Sequence, residues 1–243
     1  MAPVLHLQPS PAQVHEALDR ANYLVGTGEA AGHLGAAFNV VPDVHVADPA
    51  FRELVEAQGG DAASALGHYL HEGRVDAEFV RDVISDVQGA PVYDGRVVAP
   101  MTILDFDAGY GRVARHLKNV VPNAKVVAVD ARDTAMYFNT SHLGLQAAVA
   151  ATDPARVSPF FEFDVVLALS FFSTLRESRI GAWLDALAGF AKPGGIFVVT
   201  MPASAGAHSM LREIERVRRM KLVLFRAAAT RSHGDLFVMR KGN

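Results

Sequence analysis

The sequence predicts an α/β fold: a mostly parallel sheet of seven strands with helices on both faces, an antiparallel last strand, and a helical N-terminal extension. Three observations carry that prediction. From residue 101 onward, apolar runs of strand length alternate with helix-length segments, which is the pattern of βαβ units. These runs are apolar throughout instead of alternating with polar residues, as strands are when helices cover both sheet faces. The last two runs are separated only by the ten residues from Arg226 to Asp235, too few for a crossover helix, so those strands run antiparallel.

The first hundred residues read as helices joined by loops. Gln13 to Leu24 carries a helical stripe of Val14, Ala17, Leu18, Ala21 and Leu24. Asp48 before Pro49 has the form of an N-cap with proline at the first helical position, opening Phe51 to Ala57; Gly59-Gly60 stops that helix. A further helix is expected from about Asp61 to Glu72, ended by Gly73, and another from about Val75 to Val87, closed by Gly89-Ala90-Pro91. We therefore expect a helical extension over residues 1–75 and a second domain over 76–243. The strands follow: Met101 to Phe106, Ala124 to Asp130, a weaker run near Leu145 to Ala150, Phe163 to Leu169, Ile196 to Met201, Leu222 to Phe225, and Leu236 to Met239. Helices are expected at Gly111 to Val120, Asp133 to Asn139, Glu177 to Ala191 and His208 to Met220, with Lys192-Pro193-Gly194-Gly195 as a turn.

Composition bounds the function. The chain has 243 residues, 50% hydrophobic and 20% charged, a globular balance. Its net charge of −3 gives no bulk attraction to nucleic acid or an anionic membrane. The absence of cysteine excludes disulfides, thiolate metal sites and a cysteine nucleophile, and no metal site is expected. The opening MAPVLHLQPSPAQ lacks a basic region followed by an apolar run, and no apolar stretch reaches the roughly 18 residues of a membrane helix. The expected setting is the cytoplasm. The charge is uneven: residues 1–100 carry 14 acids and 5 bases (net −9), residues 101–209 carry 9 and 9, and residues 210–243 carry 3 and 9 (net +6).

The chemistry concentrates where the first sheet strand meets its helix. Asp105-Phe106-Asp107-Ala108-Gly109-Tyr110-Gly111-Arg112-Val113-Ala114 follows a strand and opens a helix. Glycines there let backbone approach a ligand closely, and the helix N-terminus offers N–H groups to an anion. Asp130, 19 residues after Gly111 at the end of the next strand, is placed to accept both hydroxyls of a ribose. Together they point to a nucleoside-containing cofactor. Gly109-x-Gly111-x-x-Ala114 reads as the dinucleotide fingerprint, which alone specifies little. The longer Asp105-x-Asp107-x-Gly109-x-Gly111 resembles the acid-x-glycine-x-glycine-x-glycine motif of class I S-adenosylmethionine-dependent methyltransferases, with Asp107 in place of the first glycine.

Other segments favour the second reading. Phe163 to Phe172 resembles that family's fourth-strand motif, and Trp183 to Gly195 resembles its helix closed by lysine-proline-glycine-glycine. The reversed last strand matches, and Tyr69-Leu70-x-x-Gly73-Arg74 looks like the preceding segment that covers the cofactor. The resemblance implies a Rossmann-like fold and S-adenosylmethionine as cofactor, with S-adenosylhomocysteine as product. It also implies site residues. Asp105, Phe106, Asp107, Ala108, Gly109 and Gly111 would lie against the methionine part, with Tyr69 and Arg74 in the covering helix. Asp130 would hold the ribose, Ala131 and Arg132 would flank the adenine, and Thr152-Asp153 matches the position that often reaches the adenine amine. Ser170 and Phe171 would touch the cofactor and face the substrate. The family often has histidine after the fourth strand; here Ser173-Thr174-Leu175 stands in that stretch, leaving His233 and His208 as candidate bases. The charge balance points to a small-molecule methyl acceptor, with neither nucleic acid nor membrane as partner. Two alternatives stay open. One is a nicotinamide-dependent oxidoreductase. The other is a non-catalytic member of the fold acting as a partner subunit, motivated by Asp107 and the missing histidine. The acceptor atom and the oligomeric state are not legible in the sequence.

Overall fold

In the computed structural model, the described residues are 24–25, 29–89, 100–159, 161–201, 207–230 and 234–242. Seven strands form one sheet: β3 (Met101–Phe106), β4 (Ala124–Asp130), β5 (Gln146–Val149), β6 (Phe163–Ala168), β7 (Ala191–Met201), β8 (Met220–Thr230) and β9 (Gly234–Lys241). Their order is β5-β4-β3-β6-β7-β9-β8, the mostly parallel sheet with a reversed last strand that the sequence predicts. The described residues pack as two compact units, one containing residues 101–107 and 150–242, the other residues 24–100 and 108–149.

The first unit holds β3, β6, β7, β9 and β8. β3 pairs parallel with β6 (Leu104 opposite Val166) and β6 with β7 (Leu167 opposite Val198). β9 runs antiparallel to both β7 and β8, so Met201 at the carboxyl end of β7 faces Asp235, while Ile196 faces Arg240. Both closing strands are longer than the apolar runs that signal them. Lys192-Pro193-Gly194-Gly195 is a bulge inside β7, because Ala191 already pairs with Phe163 before the regular register begins at Ile196. The Lys192 ammonium and the Thr102 amide and hydroxyl all donate to the Asp164 carboxylate, at 3.0, 2.7 and 2.7 Å, fastening the bulge to β3 and β6. Burial pushes the Asp164 carboxyl up, but these donors outweigh it and hold it below the usual range. Helix α6 (Glu177–Ala188) buries Ile180, Trp183, Leu184 and Leu187, and α7 (Ala207–Arg218) is locked to it by a bidentate Arg218–Asp185 pair at 2.7 and 2.8 Å.

The second unit contains a short antiparallel pair, β1 (Leu24–Val25) and β2 (Val44–His45), and helices α1 (Glu29–Phe38), α2 (Pro49–Ala57), α3 (Ala62–Gln88), α4 (Ala114–Val120) and α5 (Asp133–Ser141), with β4 parallel to β5. Leu24 is therefore a strand residue, whereas the rest of the helix expected over 13–24 lies outside the described residues. The N-cap at Asp48 is as expected: its Oδ1 accepts from the amides of Ala50 and Phe51. The break at Gly73 is not. α3 runs unbroken through it, so the 75/76 boundary falls inside a helix. The reason is steric: a Cβ at Gly73 would collide with the Arg112 carbonyl oxygen, so the glycine admits a neighbouring backbone and does not end the helix. Ala31, Val44, Phe51, Leu66, Tyr69 and Leu70 form the buried cluster of the extension. No helix among the described residues is long and apolar enough to cross a membrane.

Candidate active site

The glycine turn of the second unit is built by its own backbone demands. Ala108 donates to the Val129 carbonyl at 3.1 Å, laying the turn against the end of β4. Gly109 and Gly111 both have left-handed backbones, φ 54° and 75°. A Cβ at Gly111 would strike the Asn139 carboxamide and Leu143. Asn139 is fully buried and donates from Nδ2 to the Gly109 carbonyl at 2.9 Å. The turn is also held from below by Arg115, a buried guanidinium. It donates to the carbonyls of Gly111 (3.0 Å), Tyr110 (3.1 Å), Val41 (3.0 Å) and Asp43 (2.8 Å), and lies 5.4 Å from the Tyr69 ring centroid. The chain before α2 and the glycine turn thus share one cation. Tyr110, inside the turn, is buried: its ring stacks on His45 at 4.9 Å and meets Phe138 edge-on.

Asp130 closes the arrangement. It is 2% exposed and receives four donors: Gly109 N at 2.9 Å and Arg132 Nη2 at 2.7 Å on Oδ2, and Arg132 N at 2.8 Å and Arg132 Nε at 2.9 Å on Oδ1. Burial alone would push its carboxyl up; the hydrogen bonds and charge of Arg132, with the Gly109 amide, hold it below the usual range. The acid is ionised at neutral pH, and its lone pairs are filled.

In the first unit, Asp105 is buried at the end of β3, and Phe106 packs against Phe171 (5.1 Å, edge-on) and Trp183 (5.5 Å). Asp107, where the family motif has glycine, has φ 62°, the left-handed conformation that explains a glycine there and that aspartate adopts more readily than most residues. Ser170 is also left-handed (φ 64°), with its amide donating to Thr200 Oγ1 at 2.9 Å. Thr152 and Asp153 are exposed; the Asp153 side chain caps a single 3-10 turn through the Ala155 amide at 3.1 Å, and the Thr152 carbonyl accepts from Arg179 at 3.0 Å.

Residues 104–197 match the family model of a methyltransferase domain. That match makes this stretch, less than half of the chain, a methyltransferase domain, in line with the motifs read from the sequence. No curated protein sequence gives a significant match. Among solved structures, CalS10 from Micromonospora echinaspora is an S-adenosylmethionine-bound amino pentose methyltransferase involved in calicheamicin biosynthesis. It is 12% identical, with a TM-score of 0.55, covering 70% of this chain and 91% of that one. A TehB-like methyltransferase from Corynebacterium glutamicum is 18% identical with a TM-score of 0.47, covering 70% and 99%. A methyltransferase from Clostridium acetobutylicum is 11% identical with a TM-score of 0.49, covering 69% and 91%. The likeness to CalS10 is one of fold. The enzyme class is methyltransferase, the cofactor is S-adenosylmethionine, and the nicotinamide alternative falls away.

The methyltransferase's turn fits this cofactor on one condition. The left-handed backbone at Gly109 and the ionised Asp130 suit a nucleoside, but ribose hydroxyls reach the Asp130 oxygens only when the Arg132 side chain withdraws. That side chain is 41% exposed and has solvent to move into. Ala131, beside it, is exposed.

Of the remaining residues expected at the site, Tyr69 is fully buried, donating to Asp48 Oδ2 at 2.5 Å and meeting Phe51 edge-on, surroundings of a core residue. Arg74 pairs with Glu78 at 2.9 Å on the surface of α3. His208 lies in the first turn of α7, its side chain outside the described residues, and His233 lies outside them altogether. Sequence reasoning missed Arg115, Asn139 and His45. Arg115 carried a faint signal, a charged residue on the inward face of a helix; Asn139 and His45 carried none.

Proposed function

We propose that this methyltransferase acts on a small-molecule acceptor, with the glycine turn and Asp130 as its cofactor cradle. The observation that carries the cradle is the Asp130 carboxylate, kept ionised at the end of β4 and hydrogen-bonded to the Gly109 amide. Gly109 and Gly111 supply close backbone approach, Asp130 accepts the ribose hydroxyls, and Ala131 and Arg132 border the adenine. Asp105, Phe106, Asp107, Ala108, Thr152, Asp153, Ser170 and Phe171 belong to the same proposal, as do Tyr69 and Arg74, which act through the helix that carries them. Bound S-adenosylmethionine supplies a methyl group already activated on a sulfonium. What the protein must add is alignment and exclusion of water, and the apolar packing of Phe106, Phe171 and Trp183 suits the second. Where the acceptor is a hydroxyl, His208 and His233 are the candidate bases.

The acceptor class rests on charge. Residues 1–209 carry a net −9 in a chain of net −3, unfavourable for a polyanionic acceptor. A cytoplasmic setting is part of the same proposal. The test is methyl transfer from radiolabelled S-adenosylmethionine into an extract separated by ultrafiltration. Label in the low-mass filtrate supports the reading; label confined to protein or nucleic acid overturns it.

A further inference from the structure

The sheet carries a second concavity, far along β7 from its carboxyl end. A cavity of about 450 Å³ opens between the Gly194 bulge, at the amino end of β7, and Arg219, Lys221, Arg240 and Lys241 of β8 and β9. The carboxyl end of the same strand is at Met201, opposite Asp235. Four of the lining residues are cationic and none is acidic. Nearby acids are engaged elsewhere: Asp185 by Arg218, Asp164 by Lys192, and Glu215 by the Leu222 amide at 2.7 Å. Lys241 lies 3.6 Å from the Glu162 carboxylate, and its ammonium also donates to the Ala191 carbonyl at 2.6 Å. Among the described residues, Arg219 and Lys221 have no ion pair, and both are exposed.

Two features of this cluster run against folding stability. Lys221 stands directly opposite Arg240 in the antiparallel β8–β9 ladder, a like-charge cross-strand pair that costs stability. Arg219 has a left-handed backbone (φ 55°), fixed by the Gly242 amide donating to its carbonyl at 2.8 Å. Converging positive charge, strained backbone and a concave wall have a common resolution in a bound anion. A volume of about 450 Å³ lies within the range of small-molecule pockets and exceeds what one phosphate fills. Val223, on the same edge strand, gives the cavity an apolar wall. A long polyanion is disfavoured by the net −9 of residues 1–209.

We propose that this cavity is a binding site for a small molecule carrying two or more linked phosphoryl groups, separate from the methyl-transfer chemistry. The test is calorimetry on the full chain with pyrophosphate, tripolyphosphate and orthophosphate, and with a single-stranded oligonucleotide as competitor. Pyrophosphate and tripolyphosphate bind, and orthophosphate binds at least about tenfold more weakly because it reaches fewer of the cations. Arg219→Gln and Lys221→Gln, both at exposed positions, each weaken pyrophosphate binding, together by about tenfold or more, while S-adenosylhomocysteine affinity stays at the wild-type value and the ligand-free unfolding midpoint does not fall, Lys221→Gln relieving the like-charge pair with Arg240. Absence of pyrophosphate binding at millimolar concentration overturns the proposal, as does binding that both substitutions leave unchanged. Tighter binding of the oligonucleotide, displacing pyrophosphate, overturns it in favour of a nucleic-acid surface.

Discussion

Arg132→Met isolates the competition for Asp130. In the free protein the guanidinium holds both carboxylate oxygens, at 2.9 and 2.7 Å, while the backbone amides of Gly109 and Arg132 take the other two lone pairs. Ribose hydroxyls can replace only the side-chain bonds, since the amides are fixed by the turn. The arginine side chain is 41% exposed, so its attachment is screened and worth about 1 kcal/mol, the upper range for exposed ion pairs. Methionine keeps an unbranched apolar stem and removes the donors, together with the guanidinium 5.9 Å from the Tyr110 ring centroid. The expected result is S-adenosylhomocysteine binding about fivefold tighter than wild type, the affinity equivalent of about 1 kcal/mol. Salt gives an independent reading. Raising ionic strength weakens the Arg132–Asp130 pair and so tightens binding to the wild type, and the variant loses that response. Asp130→Asn, which discards charge-assisted acceptance, weakens binding in both backgrounds by about 1.5–3 kcal/mol. Isothermal titration reads all four proteins. If Arg132→Met instead weakens binding, the guanidinium is a ligand contact and the competition does not exist.

Gly73→Ala reverses the usual sign of a helical glycine replacement. Alanine is favoured by about 1 kcal/mol in an open helix, but here its Cβ meets the Arg112 carbonyl, so a net loss of about 1–3 kcal/mol is expected in urea unfolding. Asp107→Val places a β-branched residue at φ 62° and costs about 1–2 kcal/mol more than Asp107→Gly by the same measurement. His116 is buried against the edge of Phe38, and burial followed by the charges of Arg115, Arg74 and Arg112 pushes its pKa down to about 3. The unfolded chain binds a proton there that the native state refuses. The associated stability is therefore complete above the unfolded value of about 6.5 and is lost as the pH falls towards the folded one. His116→Leu flattens the acid limb of the stability profile by up to about 1.4 kcal/mol per pH unit within that window.

The parts of this molecule written in local pattern were legible. β3, β4 and β6 appear as unbroken apolar runs because both their faces are covered, and the β8–β9 hairpin was forced by a gap too short for a helix. The Asp48 cap was legible because aspartate, proline and an apolar stripe stand in sequence. What failed was every feature set by a distant neighbour. Gly73 looked like a stop signal because sequence shows its missing side chain but not the Arg112 carbonyl that requires it missing. Asp130 was found by position, but its occupancy by Arg132 depends on a rotamer, not a spacing. Arg115 shows the limit best. Its four carbonyl acceptors come from the glycine turn and from Val41 and Asp43, some 70 residues earlier. The bonds to Gly111 and Tyr110 are buried, and leaving either carbonyl without its donor would cost about 1–3 kcal/mol. One guanidinium satisfies them all, which makes the extension and the glycine turn of this unit a single cooperative element, ordered or lost together.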